Sequence, residues 1–229
     1  GTMTDKQADK LRHKIKKIKA ELAADKKRWG GFCDDSKGLR YMPPQYYIKL
    51  GDWADGVKYL KWFHKNFPED SGFPDFLFEC TIILFKSGNL KQAEQKAFRT
   101  FCSNTYIIDK FFGRQIVPLD KYENSNVDVP EFADYLTYLS DQPNLTDFSD
   151  WLDNFTKTEK FVATSQKFID IYRRLKTETD RETRHYLIRQ ARQLEEQFWH
   201  DEFHSWSLYT GYWGPESKVA VAIRDVSSL

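Results

Sequence analysis

Two histidines close to the end of the sequence are the side chains whose spacing is most suggestive of chemistry. His200 and His204 are four residues apart, so on a helix they would share one face and could together hold a metal ion. Zinc peptidases place their carboxylate in H-E-x-x-H or H-x-x-E-H, whereas Asp201 and Glu202 occupy other offsets, and Glu196 lies one turn earlier. More commonly, histidines occur near the end of a helix because its negative carboxyl end favours positively charged side chains. We therefore expect no metal and keep a metal-dependent enzyme as the alternative.

Aromatic residues crowd the sequence from Trp199 onward, and Trp199, Trp206 and Trp213 recur every seven residues. We expect this tail to fold back and seal the last helix. The alternative is an exposed aromatic patch for a partner, because Trp and Tyr dominate binding hot spots. Stacking on single-stranded nucleic acid would need Lys or Arg between the aromatic residues, and only Lys218 and Arg224 follow them.

The composition indicates a folded, helix-rich protein without an obvious reaction chemistry. Among the 229 residues, aromatic side chains make up 16% and the net charge is +1, which argues against disorder and against general nucleic-acid binding. The sequence has no Gly-rich phosphate loop, no G-x-S-x-G elbow and no C-x-x-C pair. The three cysteines lack a paired spacing, and no stretch approaches the roughly 20 apolar residues of a membrane span. We therefore expect a cytoplasmic protein with no cofactor, no catalytic residue and no membrane or nucleic-acid partner.

Charge is distributed unevenly along the chain. Residues 1–30 carry ten Lys or Arg against four Asp or Glu, and residues 118–156 carry nine Asp or Glu against Lys121 alone. Solvated helix faces explain both segments. The alternative is that the two segments face each other, within one chain or between two chains.

Hydrophobic periodicity predicts helices nearly throughout. The first is a long basic helix over 5–28, capped by Thr4 or Asp5, whose narrow apolar stripe runs from Leu11 to Leu22. It could dock on its own chain, pair as a short coiled coil in a homodimer, or lie on an acidic surface; docking is the expected arrangement. Further helices are expected over 43–50, 53–67, 75–87, 90–102, 104–112, 130–140, 143–155, 158–177 and 180–204, with a loop over 113–128 and a short strand over 219–223.

A helix-turn-helix pattern occurs twice, 37 residues apart. The copies run from Tyr47 to Val57 and from Leu84 to Glu94; in each, a helix ends at Gly and an Asp or Asn opens the next helix. A repeat of this size is typical of helical arrays, which usually bind other molecules.

The segment from about 43 to 112 resembles tetratricopeptide repeats, and looks like uncharacterised bacterial proteins of this repeat type. Tyr47 matches the aromatic position of the first helix, Gly56 the small-residue position of the second, and Pro68 the closing proline. The matching inward or small residues are Leu60, Phe63, Leu84, Ala93, Ala97 and Thr100. The spacing exceeds the family's 34 residues, Thr105 replaces a closing proline, and no third copy follows. The resemblance implies antiparallel helix pairs stacked as a right-handed array with a concave peptide- or protein-binding face.

These observations predict an all-α protein that binds a protein or peptide as an adaptor or inhibitor. The expected parts are an N-terminal basic helix (1–30), repeats (40–113), a loop (114–128), C-terminal helices (129–204) and an irregular aromatic tail (205–229). The expected contact residues are Tyr46, Tyr47, Tyr59, Trp62, Asn66, Asn89 and Arg99. Trp53 lies half a helical turn from Trp62, at about 100° per residue, so we expect Trp53 to pack inside and Trp62 to be more exposed.

Overall fold

The computed structural model describes residues 2–198 and divides the chain into two compact units, one up to Ala93 and one from Glu94 onward. Every regular element in this described range is helical, which confirms the all-α prediction. The first unit contains α1 (Asp5–Arg28), a 3₁₀ helix (Leu39–Tyr41), α2 (Pro43–Leu50), α3 (Trp53–Asn66) and α4 (Pro74–Lys86). The next helix, α5 (Leu90–Ser103), begins in the first unit and continues into the second.

Helix α1 forms where its sequence predicts and docks on its own unit. The Thr4 hydroxyl accepts a hydrogen bond from the Gln7 amide, and the Gln7 side chain accepts one from the Thr4 amide, so both free donors are satisfied. Ile15, Ile18 and Leu22 are buried, and the helix packs against α2. Burial of this stripe holds the basic helix on the first unit, which is the docking arrangement expected from the sequence.

The turn between α2 and α3 also follows the sequence. Gly51 has a φ of 67°, the left-handed conformation that ends α2, and the Asp52 carboxylate accepts a hydrogen bond from the Asp55 amide at 3.3 Å. One turn later, a Cβ atom on Gly56 would lie only 3.0 Å from Cγ2 of Ile83 and 3.5 Å from Cβ of Tyr47. A small residue is therefore required where α3 approaches its neighbours.

Helix α4 is buried on most of its faces, as its apolar sequence predicts, and it packs against both α2 and α3. Its buried apolar side chains are Phe76, Leu77, Phe78, Cys80, Ile82, Ile83 and Leu84. The helix therefore contributes more buried apolar side chains than any other helix that lies wholly in the first unit.

The second unit has a core rich in phenylalanine. Its further elements are α6 (Ile107–Phe111), two 3₁₀ helices (Pro130–Tyr135 and Pro143–Leu145), α7 (Thr146–Thr156), α8 (Glu159–Thr177) and α9 (Arg181–Glu196). The rings of Phe98 and Phe198 stack with their centroids 4.3 Å apart, and Phe161 meets Phe98 edge-on at 6.0 Å. Helices α8 and α9 pack together, with α7 against α8.

Two of the expected helices are wrong in extent. The helix expected over 130–140 is only the 3₁₀ helix that ends at Tyr135. Its expected cap, Asp128, instead accepts hydrogen bonds from the amides of Asn124 and Ser125, so its carboxylate closes the preceding loop. Helix α9 ends at Glu196 rather than near residue 204. The expected strand over 219–223 and the aromatic tail lie outside the described residues.

Candidate partner-binding groove

Helices α1 and α3 of the first unit border a groove of about 360 Å³. Because α1 is fixed on α2 through its apolar stripe, the exposed edge of α1 forms one wall, and α3 forms the other. The residues that line the groove are Lys19, Leu22, Ala23, Lys26, Lys58, Tyr59 and Trp62. The groove therefore combines an apolar and aromatic surface with three lysines.

The aromatic surface consists of two side chains one turn apart on α3. The rings of Tyr59 and Trp62 stack with their centroids 5.5 Å apart, and Tyr59 also contacts Tyr47 beneath it at 6.1 Å. Tyr59 is buried and Trp62 half-buried. Burial raises the pKa of Tyr59, so its hydroxyl stays protonated and donates to the carbonyl of Arg40. This bond and the stacking hold the aromatic surface in place.

The three lysines keep most of their positive charge available. Lys26 donates from Nζ to Oδ1 of Asn66 at 2.8 Å, which orients it without neutralising it. Lys58 lies 3.6 Å from Asp55, with both side chains well exposed. Lys19 is exposed and makes no hydrogen bond or ion pair with any residue in the range 2–198. Anionic groups entering the groove would therefore meet the positive charges of Lys19 and Lys26, while Lys58 shares its charge with Asp55.

A buried network around Arg40 supports the groove from below. The Arg40 guanidinium donates to Asp70 at 2.7 Å and to Asp35 at 3.0 Å, and Tyr41 donates its hydroxyl to the same Asp70 carboxylate at 2.6 Å. Burial alone would raise the pKa of Asp70, but these hydrogen bonds lower it below its ordinary value. Burial and the bond to Asp70 raise the pKa of Tyr41 to about 12. Because Tyr59 binds the Arg40 carbonyl, this network fixes the position of the groove surface.

The structure brings together three of the seven predicted contact residues. Tyr59, Trp62 and Asn66 are spaced three and four residues apart, so they share one face of α3. The Asn66 side chain donates to the Trp62 carbonyl at 2.8 Å and holds Lys26, which places it at the end of the groove. Trp53 and Trp62 are both half-buried, so Trp53 is not fully packed inside as expected.

The other four predicted residues lie elsewhere. Tyr46 and Tyr47 are buried in α2, Tyr46 with the Lys14 ammonium 5.6 Å above its ring, so both support the surface rather than form it. Asn89, which follows α4, donates to Ser87 at 2.9 Å. Arg99 belongs to the second unit.

Sequence reasoning missed the lysines and the contribution of α1. In the sequence Lys19 and Lys26 stand only within the basic segment 1–30, Lys58 belongs to no pattern, and the binding face is expected within the repeat alone. The signal was present in the apolar stripe of α1, since docking through Leu22 necessarily brings Lys19 and Lys26 beside it. Which helix would receive α1 was not visible in the sequence.

The second unit contains a separate titratable cluster beside Arg99. Burial raises the pKa of Glu195 to about 7, although the positive charge of Arg99 opposes this shift. Burial and the neighbouring Glu195 raise the pKa of the Cys102 thiol well above its usual value. Within the described residues, Nε of Arg99 is buried without a hydrogen-bond partner. At neutral pH the Cys102 thiol is therefore protonated, whereas the Glu195 carboxyl is close to its pKa.

The metal alternative falls mainly outside the described structure. His200 and His204 lie beyond residue 198, and residues 2–198 contain no group of three His, Cys, Asp or Glu arranged to hold a metal ion. No helix in that range is both long and apolar enough to cross a membrane.

Comparison with known proteins gives no further guide to the groove. No protein-family model matches the chain, and neither a curated protein nor a solved structure shows significant similarity to it. The functional argument therefore depends on the chemistry of the groove.

Proposed function

We propose that this chain is a non-enzymatic, cytoplasmic interaction module that binds a protein or peptide in the groove between α1 and α3. The observation that carries the proposal is the pairing of a stacked Tyr59–Trp62 surface with three lysines, of which only Lys58 pairs with a carboxylate within the described residues. Buried aromatic side chains flanked by polar residues are the usual composition of a binding hot spot. The cytoplasmic assignment follows from the odd number of cysteines without a paired spacing.

The chemistry of the groove favours an acidic segment that carries an aromatic or aliphatic side chain. The apolar side chain would cover the half-buried Trp62 ring, and carboxylates on either side would pair with Lys19 and Lys58. A volume of about 360 Å³ accommodates one or two such side chains, so the partner would be a short segment rather than a whole domain face. In this proposal the helix pair α2–α3 corresponds to a tetratricopeptide-like repeat, and α1 supplies a wall that the repeat pattern alone lacks.

The experiment compares two tryptophans on the same helix. A partner captured by the full chain from nuclease-treated lysate is identified by mass spectrometry, and its Kd is measured for the wild type, Trp62→Ala and Trp53→Ala. A random copolymer of glutamate and tyrosine serves as a defined probe. We expect Trp62→Ala to weaken binding by at least about 30-fold, equivalent to about 2 kcal/mol, and Trp53→Ala by less than about threefold.

Charge reversal at the rim supplies an independent readout. Lys19 has no partner within the described residues, so Lys19→Glu should leave stability unchanged while it slows association and reduces the salt dependence of binding. Circular dichroism verifies that each variant is folded. Equal affinity of Trp62→Ala and wild type, with the fold intact, would show that the groove is not the binding site.

A further inference from the structure

A basic aromatic turn, composed of Lys27, Arg28, Trp29 and Phe32, projects from the end of α1. Trp29 is 55% exposed and Phe32 is 74% exposed, although both are large apolar side chains. The two glycines between them have φ values of 66° and 98°, and the Phe32 amide donates to the Trp29 carbonyl at 3.4 Å, so the backbone turns and keeps the two residues close. Lys27 and Arg28 are exposed and end a segment, residues 1–30, with a local charge of +6. Neither aromatic side chain lines the groove.

An acidic aromatic patch, composed of Glu131, Asp134, Tyr135 and Leu139, has the opposite charge on the second unit. Tyr135, the last residue of the first 3₁₀ helix of that unit, is 68% exposed, and Leu139, four residues later, is 51% exposed. Glu131 is exposed, and Asp134 remains 70% exposed although Lys110 lies 3.3 Å from it. The patch belongs to the segment 118–156, whose local charge is −8.

We propose that the basic aromatic turn of one chain docks on the acidic aromatic patch of a second copy of this chain. Each surface is exposed on its own unit and presents two large apolar side chains, and their charges are opposite. Such surfaces gain apolar burial and charge pairing together. Two copies of the turn, or two copies of the patch, would bring like charges together, so each contact joins one turn to one patch. The second turn and the second patch either pair with each other, which closes a dimer, or bind further copies, which gives larger assemblies.

The test uses sedimentation velocity on the full chain over a range of concentrations. The wild type should show a mass that rises with concentration above the 27.2 kDa of one chain. This rise should be strong at about 10 mM salt and weak at about 500 mM, because the screening length falls several-fold. A variant of the turn (Trp29→Ser with Phe32→Ser) and a variant of the patch (Tyr135→Ser with Leu139→Ser) should each remain monomeric alone. The matched control is Val162→Ser, which removes an exposed apolar side chain elsewhere and should associate like the wild type.

The equimolar mixture of the two variants distinguishes the proposal from a contact of either surface with its own copy. The patch variant retains its turn and the turn variant retains its patch, so the mixture should form a dimer and nothing larger. A wild type that stays monomeric at low salt would overturn the proposal, as would a mixture that stays monomeric. Binding of the monomeric wild type, but not of the turn variant, to vesicles of phosphatidylserine would overturn it in favour of a lipid surface.

Discussion

Replacement of Arg40 by alanine should destabilise the first unit far more than replacement of an ordinary surface arginine. The Arg40 side chain is 18% exposed, and its two carboxylate partners, Asp35 and Asp70, are 2% and 16% exposed. Removing one partner of a buried ion pair commonly costs about 3–5 kcal/mol. Asp35 would keep its bonds from two backbone amides, and Asp70 would keep those from Tyr41 and Gly72, so we expect the lower part of this range, about 3 kcal/mol.

Urea denaturation followed by circular dichroism measures the loss of stability. Arg12→Ala is the matched control, because Arg12 forms a single ion pair with Asp9 in which both side chains are more than 60% exposed, and its loss should cost less than about 0.5 kcal/mol. A double-mutant cycle of Arg40→Ala with Asp70→Asn should give a coupling of at least about 1 kcal/mol. Equal destabilisation by Arg40→Ala and Arg12→Ala would refute the assignment of Arg40 as the centre of a buried network.

The same network predicts a direction for the pH dependence. Because the pKa of Asp70 is lower in the folded state than in the unfolded state, its ionised carboxylate stabilises the fold, and this stabilisation is complete above the unfolded-state pKa of about 3.9. The contribution is then lost as the pH falls through the lower pKa of the folded state. The free energy of unfolding should therefore fall less steeply below about pH 4 in Arg40→Ala than in the wild type. Parallel pH profiles would contradict this account of Asp70.

Two further substitutions test packing and burial. Gly56→Leu should cost about 1–3 kcal/mol of stability, because even a Cβ atom at this position would lie 3.0 Å from Ile83. The control Ala54→Leu, on the exposed face of α3, should change stability by less than about 0.5 kcal/mol. Thermal denaturation compares the two variants, and equal melting temperatures would contradict the close packing at Gly56. Burial raises the pKa of Glu195 to about 7, so the folded state binds this proton more tightly than the unfolded state does. In the wild type the free energy of unfolding should therefore fall as the pH rises from about 4.5 to about 7, and Glu195→Gln should abolish this fall. At about 1.36 kcal/mol per pKa unit, this fall amounts to about 3 kcal/mol, which the variant should no longer lose at and above pH 7. A pH profile of urea denaturation that is the same in the variant and the wild type would disprove the raised pKa of Glu195.

Local signals in the sequence predicted the helices of the first unit well. The capping box at Thr4, the left-handed Gly51 and the close approach at Gly56 all depend on residues within a few positions of one another or on one helical face. The helix expected after Asp128 was wrong, because the Asp128 carboxylate binds backbone amides before it rather than after it. A capping residue can point in either direction, and periodicity does not distinguish the two.

The groove was only partly visible in the sequence, because it depends on contacts between distant segments. Tyr59, Trp62 and Asn66 could be placed on one face of α3 by their spacing alone. The pairing of Lys26 with Asn66 spans 40 residues and that of Arg40 with Asp70 spans 30, and no local pattern links such positions. The environment of Tyr46 likewise depends on where α1 docks, because Lys14 of α1 lies over its ring.

The most direct test of the groove is hydroxyl-radical footprinting of the two tryptophans of α3 in the same sample. Both side chains are half-buried in the free chain, so each can be oxidised, and Trp53 serves as an internal control. We expect a saturating amount of the captured partner to protect Trp62 from oxidation while Trp53 reacts as before. Unchanged oxidation of Trp62 in the complex would contradict the proposed binding site.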